Sequence, residues 1–117
     1  MHRITDYEFG RVVVDGQTYR ADLLILPGAT ISDWWREESH VLAVADLWEI
    51  ERLDDRPAVL VVGTGAYGML DVPAETRAWL AGRGIELLDL PTTEACTRYN
   101  ALAAQGVRVS AALHLTC

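Results

Sequence analysis

The front part of the chain carries short apolar segments of the kind that form strands. Residues 9–14 and 17–23 flank the dipeptide of Asp15 and Gly16. Both of these residues tolerate the positive φ that a type I′ turn requires. The pattern therefore predicts a β-hairpin in this part of the chain.

The next segments are less regular. Residues 23–26 form a continuous apolar run that ends at Pro27 and Gly28, which is typical of a strand buried on both faces. Residues 31–36 are predicted to be extended. Residues 41–53 are ambiguous, and we interpret residues 45–53 as a helix or a helical turn.

From residue 58 onward, buried strands alternate with helices. The pattern predicts strands over 58–62, 85–90 and 107–115 and helices over 74–83 and 92–105. Pro73 suits a first helical turn, Thr92 or Thr93 can cap the second helix, and Gly106 is placed to end it. This alternation predicts an α/β fold with a layered sheet and a β-rich front half. Because no linker, repeat or low-complexity segment divides residues 1–117, we expect one domain.

Composition narrows the classes of function. The net charge is −7 and the ten basic residues, all Arg, are scattered singly. This argues against a nucleic-acid partner, because phosphate binding needs clustered cations. No apolar run approaches the roughly 20 residues of a membrane helix, and no signal-peptide pattern is visible. With two cysteines that make no disulfide framework, we expect a cytoplasmic protein that does not insert into membranes.

A glycine-rich segment follows the strand predicted over 58–62. Gly63, Gly65 and Gly68 fit the G-x-G-x-x-G spacing of a dinucleotide-binding turn, and Asp89 lies where a ribose-binding acid would follow. Such a site needs a helix that begins inside the glycine turn, whereas Pro73 delays the helix. We therefore predict no cofactor and interpret the segment as a turn that closes the sheet and lines a pocket.

Histidine and cysteine residues are candidates for metal binding or nucleophilic catalysis. His114 and Cys117 form one short pair that Cys96 and His40 would have to complete, but a structural zinc site usually shows two close pairs. Cys96 near His114 is the pair to test for a reactive thiol, although small buried cysteines are common on helices. We predict no metal ion and no catalytic residue.

Three tryptophans, Trp34, Trp35 and Trp48, lie within one short stretch. Adjacent residues of an extended segment point to opposite sides, so one of the first two is expected in the core and the other exposed or against a partner. Core packing under a loop is the alternative. Tyr99 and Asn100 are predicted to place a phenol and an amide beside the glycine turn, with a core tyrosine as the alternative.

Several motifs occur in an order that resembles a known family. They are F-G-x-V-x-V-x-G-x-x-Y over 9–19, D-L-L-I-L-P over 22–27, V-V-G-T-G over 61–65, L-P-T-T-E-A-C-x-x-Y-N-x-L over 90–102 and V-x-V-x-A-A-L-H-L-T-C over 107–117. The family comprises small uncharacterised domains of archaea and bacteria, a mitochondrial complex I assembly factor and an adipogenesis-associated protein. The resemblance implies a layered α/β fold built on a mixed central β-sheet, to which the sequence pattern adds an N-terminal β-hairpin region and two main helices. It implies no established enzymatic activity, and its eukaryotic members act through protein partners.

Two classes of function are therefore expected. The first is a non-catalytic interaction or assembly-type protein that binds protein partners through the tryptophan segment or a sheet edge; self-association stays open. The second is a small-molecule (anion) binding protein, or an enzyme, with a pocket at the glycine turn. The candidate interface residues are Trp34, Trp35 and Trp48. The candidate pocket residues are Gly63, Thr64, Gly65, Thr92, Thr93, Tyr99 and Asn100.

Overall fold

A computed structural model describes residues 2–117. The strands within them are β1 (Ile4–Glu8), β2 (Arg11–Val14), β3 (Gln17–Tyr19), β4 (Leu23–Leu26), β5 (Ala29–Ile31), β6 (Val59–Thr64), β7 (Glu86–Leu90) and β8 (Val109–His114). The helices are α1 (Trp48–Glu51), α2 (Ala74–Gly82) and α3 (Thr92–Ala104), and a 3₁₀ turn over Val44–Leu47 leads into α1. None of these helices has the length and apolar character needed to cross a membrane. The predicted α/β fold is confirmed.

The first three strands, β1, β2 and β3, form an antiparallel sheet of their own. The predicted turn between β2 and β3 is confirmed, because Asp15 and Gly16 both have positive φ, 52° and 80°. The sequence pattern missed β1, whose pairing with β2 is irregular between Ile4 and Asp6. Asn100 on α3 fixes this strand, since its amide accepts from the Ile4 N–H at 2.9 Å and donates to the Ile4 carbonyl oxygen at 2.6 Å.

The second sheet has five strands in the order β5-β4-β8-β6-β7. β6 pairs in parallel with β7 and β8, whereas β4 pairs antiparallel with β5 and β8. Every residue of β4, β6 and β8 is buried, as their continuous apolar runs predict. The mixed central sheet that the family resemblance implies is therefore present.

Side chains of the five-stranded sheet alternate between two apolar clusters, because successive residues of a strand point to opposite faces. On β4, Leu23 and Ile25 pack into a cluster with the N-terminal sheet and α3. Leu24 and Leu26 pack into the other cluster, with Trp34, α1 and α2. The sheet is thus covered on both faces.

The predictions for residues 27–36 were partly wrong. The predicted end of the strand at Pro27 and Gly28 is confirmed, but the pattern missed β5, into which these two residues turn the chain. The extended region stops at Ile31, and Asp33 has a φ of 52°, which turns the chain. The interpretation of residues 45–53 as a helical turn is confirmed by the 3₁₀ turn and α1.

Candidate functional site

The consecutive residues Trp34, Trp35 and Arg36 have sharply different environments. Trp34 lies in the core with 5% exposure, and its indole N–H donates to the Asp46 carbonyl oxygen at 3.0 Å. The Arg36 side chain is 4% exposed, whereas Trp35 between them is 82% exposed. One of the two adjacent tryptophans is therefore in the core and the other in solvent, as the alternation predicts.

Arg36 belongs to a buried polar cluster with Asp22 and His114, which we call the Asp22 cluster. Oδ2 of Asp22 lies 2.8 Å from Arg36 Nη2 and 2.8 Å from His114 Nδ1. Arg36 also donates to the Ser39 carbonyl oxygen, from Nε at 3.1 Å and from Nη2 at 2.7 Å. The backbone that carries Trp35 is therefore anchored by this cluster on one side and by a buried indole on the other.

Hydrogen bonds determine the ionisation of Asp22. Burial alone would raise the pKa of its carboxyl group, but hydrogen bonds from His114, from the Leu115 N–H at 2.9 Å and from Arg36 together lower it. Because Nδ1 of His114 donates to this carboxylate, a neutral His114 ring has its lone pair on Nε2. Nε2 of His114 and Nη1 of Arg36 are buried and have no hydrogen-bond partner among residues 2–117.

Trp35 separates two depressions in the surface. The first has a volume of about 270 Å³ and is lined by the three residues of the Asp22 cluster. The second has a volume of about 380 Å³ and extends from Trp35 to Trp48, with Glu37 and Glu49 in its lining. We call this second depression the tryptophan groove. All three predicted interface residues, Trp34, Trp35 and Trp48, line it.

Among residues 2–117, five large apolar side chains are exposed. They are Phe9, Trp35, Trp48, Tyr67 and Met69. The rings of Phe9 and Tyr67 are 6.2 Å apart. Ala66, next to Tyr67, donates its N–H at 2.6 Å to Thr116, which lines the depression beside Trp35. Phe9 and Tyr67 therefore form an exposed aromatic pair of their own.

The glycine turn brings together Gly63, Gly65 and Thr92 of the predicted pocket. Oγ1 of Thr92 accepts the Gly65 N–H at 2.8 Å and donates to the His114 carbonyl oxygen at 2.6 Å. A Cβ atom would lie 2.9 Å from Thr92 Oγ1 at Gly63 and 2.2 Å from the carbonyl carbon of Cys117 at Gly65. The turn is thus packed tightly against its own chain. The Thr92 hydroxyl serves this packing and is not the predicted helix cap.

Backbone N–H groups of the glycine turn are also used within the chain. Ala66 and Met69 donate to the carbonyl oxygens of Thr116 and Cys117, at 2.6 and 2.9 Å. α2 begins only at Ala74, so no helix starts inside the turn. A dinucleotide-binding turn needs free N–H groups and a helix start at the pyrophosphate. In this turn the N–H groups of Ala66 and Met69 are already bonded, and no helix begins there.

The remaining predicted pocket residues lie in other surroundings. Thr64 is buried at the end of β6. Tyr99 is in the apolar cluster below α3, where burial raises the pKa of its hydroxyl to about 12, so the core interpretation of this residue is confirmed. Thr93 and Asn100 line a depression beside β1, which does not include the glycine turn.

The candidate metal and thiol residues show no reactive arrangement. Burial raises the pKa of the Cys96 thiol to about 12, which disfavours the thiolate that a nucleophile requires. The rings of His40 and His114 meet edge to face with centroids 5.6 Å apart. Within residues 2–117, no group of three or more His, Cys, Asp or Glu side chains is arranged to hold a metal ion.

Sequence reasoning missed the Asp22 cluster. Asp22 and Arg36 are 14 residues apart, and Asp22 and His114 are 92 apart. No periodic pattern links residues at such separations. The available signal was chemical: an Asp directly before a buried strand, and a His inside an apolar strand, each need a hydrogen-bond partner when buried.

Comparison with known proteins identifies relatives over nearly the whole chain. The family described as proteins of unknown function, DUF498/DUF598, matches residues 4–114. A solved structure of a protein named MT938 is 29% identical, with 100% of both chains covered and a TM-score of 0.80. Conserved hypothetical protein PH1505 from Pyrococcus horikoshii is 29% identical over 98% of this chain and 99% of that chain, with a TM-score of 0.77. Protein Rpa2829 from Rhodopseudomonas palustris is 29% identical over 95% of this chain and 81% of that chain, with a TM-score of 0.76.

Proposed function

Because the chain belongs to the DUF498/DUF598 family of proteins of unknown function, we propose a function from its own surface: a non-catalytic domain that docks a protein partner on Trp35. The observation that carries the proposal is the 82% exposure of Trp35 on a backbone anchored at both neighbouring residues. Exposed tryptophans are enriched among the residues that dominate binding energy at interfaces.

The rigidity of the segment favours binding. Association costs free energy when a flexible loop or side chain has to be ordered. Here the buried indole of Trp34 and the ion pair between Arg36 and Asp22 already fix the backbone. Trp35 therefore reaches a partner at a lower entropic cost than a tryptophan on a mobile loop.

The surroundings of Trp35 also favour a protein partner. Depressions flank the ring on two sides, and the exposed Trp48 lines the second of them. Aromatic side chains are enriched at protein–protein interfaces. A protein segment that covers Trp35 would bury this surface and fill both depressions.

The test is capture of partners by the tagged protein in its native host, with mass spectrometry of what co-elutes. We expect a stoichiometric partner for the natural chain and its loss in Trp35→Ala, with an unchanged melting temperature. Arg98→Ala, an exposed change on α3, is the matched control and should keep the partner. A partner that binds Trp35→Ala equally well, or no partner at all, would overturn the proposal.

A second candidate function is the binding of a small anion over the Asp22 cluster. It is favoured by the unpartnered Nη1 of Arg36, since this residue lines the depression of about 270 Å³. The check is NMR titration with acetate and with inorganic phosphate. Shifts confined to Ala21–Asp22 and Leu115–Thr116 would support an anion site, and shifts spread over the surface would refute it.

A further inference from the structure

The tryptophan groove combines aromatic rings with carboxylates. Trp35 and Trp48 are 82% and 54% exposed, and Glu37 and Glu49 also line the groove. Arg36 contributes to the lining as well, but its charge is already paired with Asp22 at the opposite side. The groove therefore offers carboxylates and, at Trp35, an exposed aromatic ring over which no arginine lies.

The carboxylates of the groove lack partners. Neither Glu37 nor Glu49 takes part in an ion pair within residues 2–117. Oε1 of Glu49 is shielded from solvent and has no hydrogen-bond partner there. Asp46, which also lines the groove, differs because its oxygens accept the N–H groups of Ala43 at 2.9 Å and Glu37 at 3.3 Å. The carboxylate of Glu49 is therefore unpaired, and a cationic donor at its other oxygen would compensate its charge.

The tryptophans of this chain show which group fits such a ring. Arg36, Arg52 and Arg83 place their guanidinium carbons 5.1, 5.6 and 4.0 Å from the ring centroids of Trp34, Trp48 and Trp79. Within residues 2–117, Trp35 is the tryptophan over which no arginine lies.

We infer that the tryptophan groove binds an arginine side chain of the protein partner. This inference rests on the proposed docking at Trp35. The guanidinium would stack on the exposed Trp35 ring and donate to Oε2 of Glu49, because Oε1 is shielded from solvent. Arginine suits this place because its planar group stacks on aromatic rings and donates to a carboxylate at the same time. The net charge of −7 also favours the approach of a basic segment.

The inference is tested by NMR titration of the full chain with the capped tripeptide acetyl-Gly-Arg-Gly-amide. Citrulline in place of arginine gives an uncharged control of nearly the same shape. We expect the indole N–H signals of Trp35 and Trp48, assigned with Trp→Phe variants, to shift with the arginine peptide and not with the citrulline peptide. Glu49→Gln should raise the dissociation constant about threefold or more, while Glu75→Gln, an exposed change on α2, should leave it unchanged.

Each contrary outcome has a distinct meaning. If neither indole signal moves up to about 50 mM peptide, or if the citrulline peptide acts equally, the arginine site is refuted. A lysine tripeptide that binds as well as the arginine peptide would also overturn the assignment, because charge alone would then suffice. If Trp35→Ala abolishes partner capture but Glu49→Gln and Glu37→Gln do not weaken it, the proposed docking stands and the arginine inference falls. If Trp35→Ala leaves capture intact, the docking proposal itself falls.

Discussion

Replacement of Asp22 by Asn tests whether the Asp22 cluster stabilises the segment that presents Trp35. The change keeps the size of the side chain but removes the charge that faces Arg36, whose side chain is only 4% exposed. Loss of one partner leaves the other charge buried and unpaired, which costs about 3–5 kcal/mol. We therefore expect Asp22→Asn to lower the free energy of unfolding by that amount.

The assay is chemical denaturation followed by tryptophan fluorescence, with Asp89→Asn as the matched control. Asp89 pairs with Arg77 at 2.6 Å, but both side chains are substantially exposed, at 33% and 47%. Exposed pairs contribute about 0.2–1 kcal/mol, so this control should change stability little. A double variant, Asp22→Asn with Arg36→Met, should recover part of the loss because no unpaired charge remains.

The pH dependence gives a second readout of the same reasoning. Burial opposes ionisation of Asp22, but its hydrogen bonds lower the folded-state pKa below the unfolded value. The stabilisation is therefore fully present above the unfolded pKa of about 3.9 and is lost as pH falls through the folded pKa. The gap in stability between the natural chain and Asp22→Asn should be widest above about pH 5 and narrow below about pH 4. A loss no larger than that of Asp89→Asn, or a gap that does not change with pH, would refute the role assigned to Asp22.

Three further tests concern other parts of the structure. Trp34→Ala should cost about 3–5 kcal/mol of stability in thermal or chemical unfolding, whereas Trp35→Ala should cost about 1 kcal/mol at most because less than a fifth of it is hidden. Gly65→Ala should destabilise strongly, since its Cβ would lie 2.2 Å from a backbone carbon, while Gly10→Ala, at a φ of +79° with open space around it, should cost only about 1–2 kcal/mol. The Cys96 thiol, with a pKa raised to about 12 by burial, should resist alkylation by iodoacetamide at pH 8 in the folded chain and react after unfolding in urea.

The elements that the sequence predicted well are those whose signal is local. The turn at Asp15 and Gly16, the buried runs of β4, β6 and β8, and α3 with its stop at Gly106 follow from backbone preferences and burial within a few residues. The sequence pattern did not predict β1 and β5, because these short segments form strands only by pairing with β2 and β4. Strand pairing of this kind is a tertiary property that no local pattern contains.

The sequence predicted only part of the candidate site. The alternation of Trp34 and Trp35 between core and solvent follows from adjacency, and the exposure of one of them was therefore predictable. Which of the two tryptophans is exposed depends on Asp22 and His114, which contact Arg36 only in the folded chain. For the glycine turn the spacing suggested a pocket, but Thr92 packs closely against Gly63. This packing depends on the folded structure and could not be predicted from the sequence.

The position of β8 has a consequence for how the protein is made. This strand is the last of the eight along residues 2–117, yet it lies between β4 and β6 and is the link between them in the five-stranded sheet. While the ribosome is still extending the chain, the apolar strands β4 and β6 therefore each have an unpaired edge. Only residues 109–114 pair with these two edges in the folded chain. Long-range pairing of this kind is slow and leaves the nascent chain open to aggregation. We expect folding to complete only after synthesis of β8, and chaperone binding to be concentrated in the interval before it.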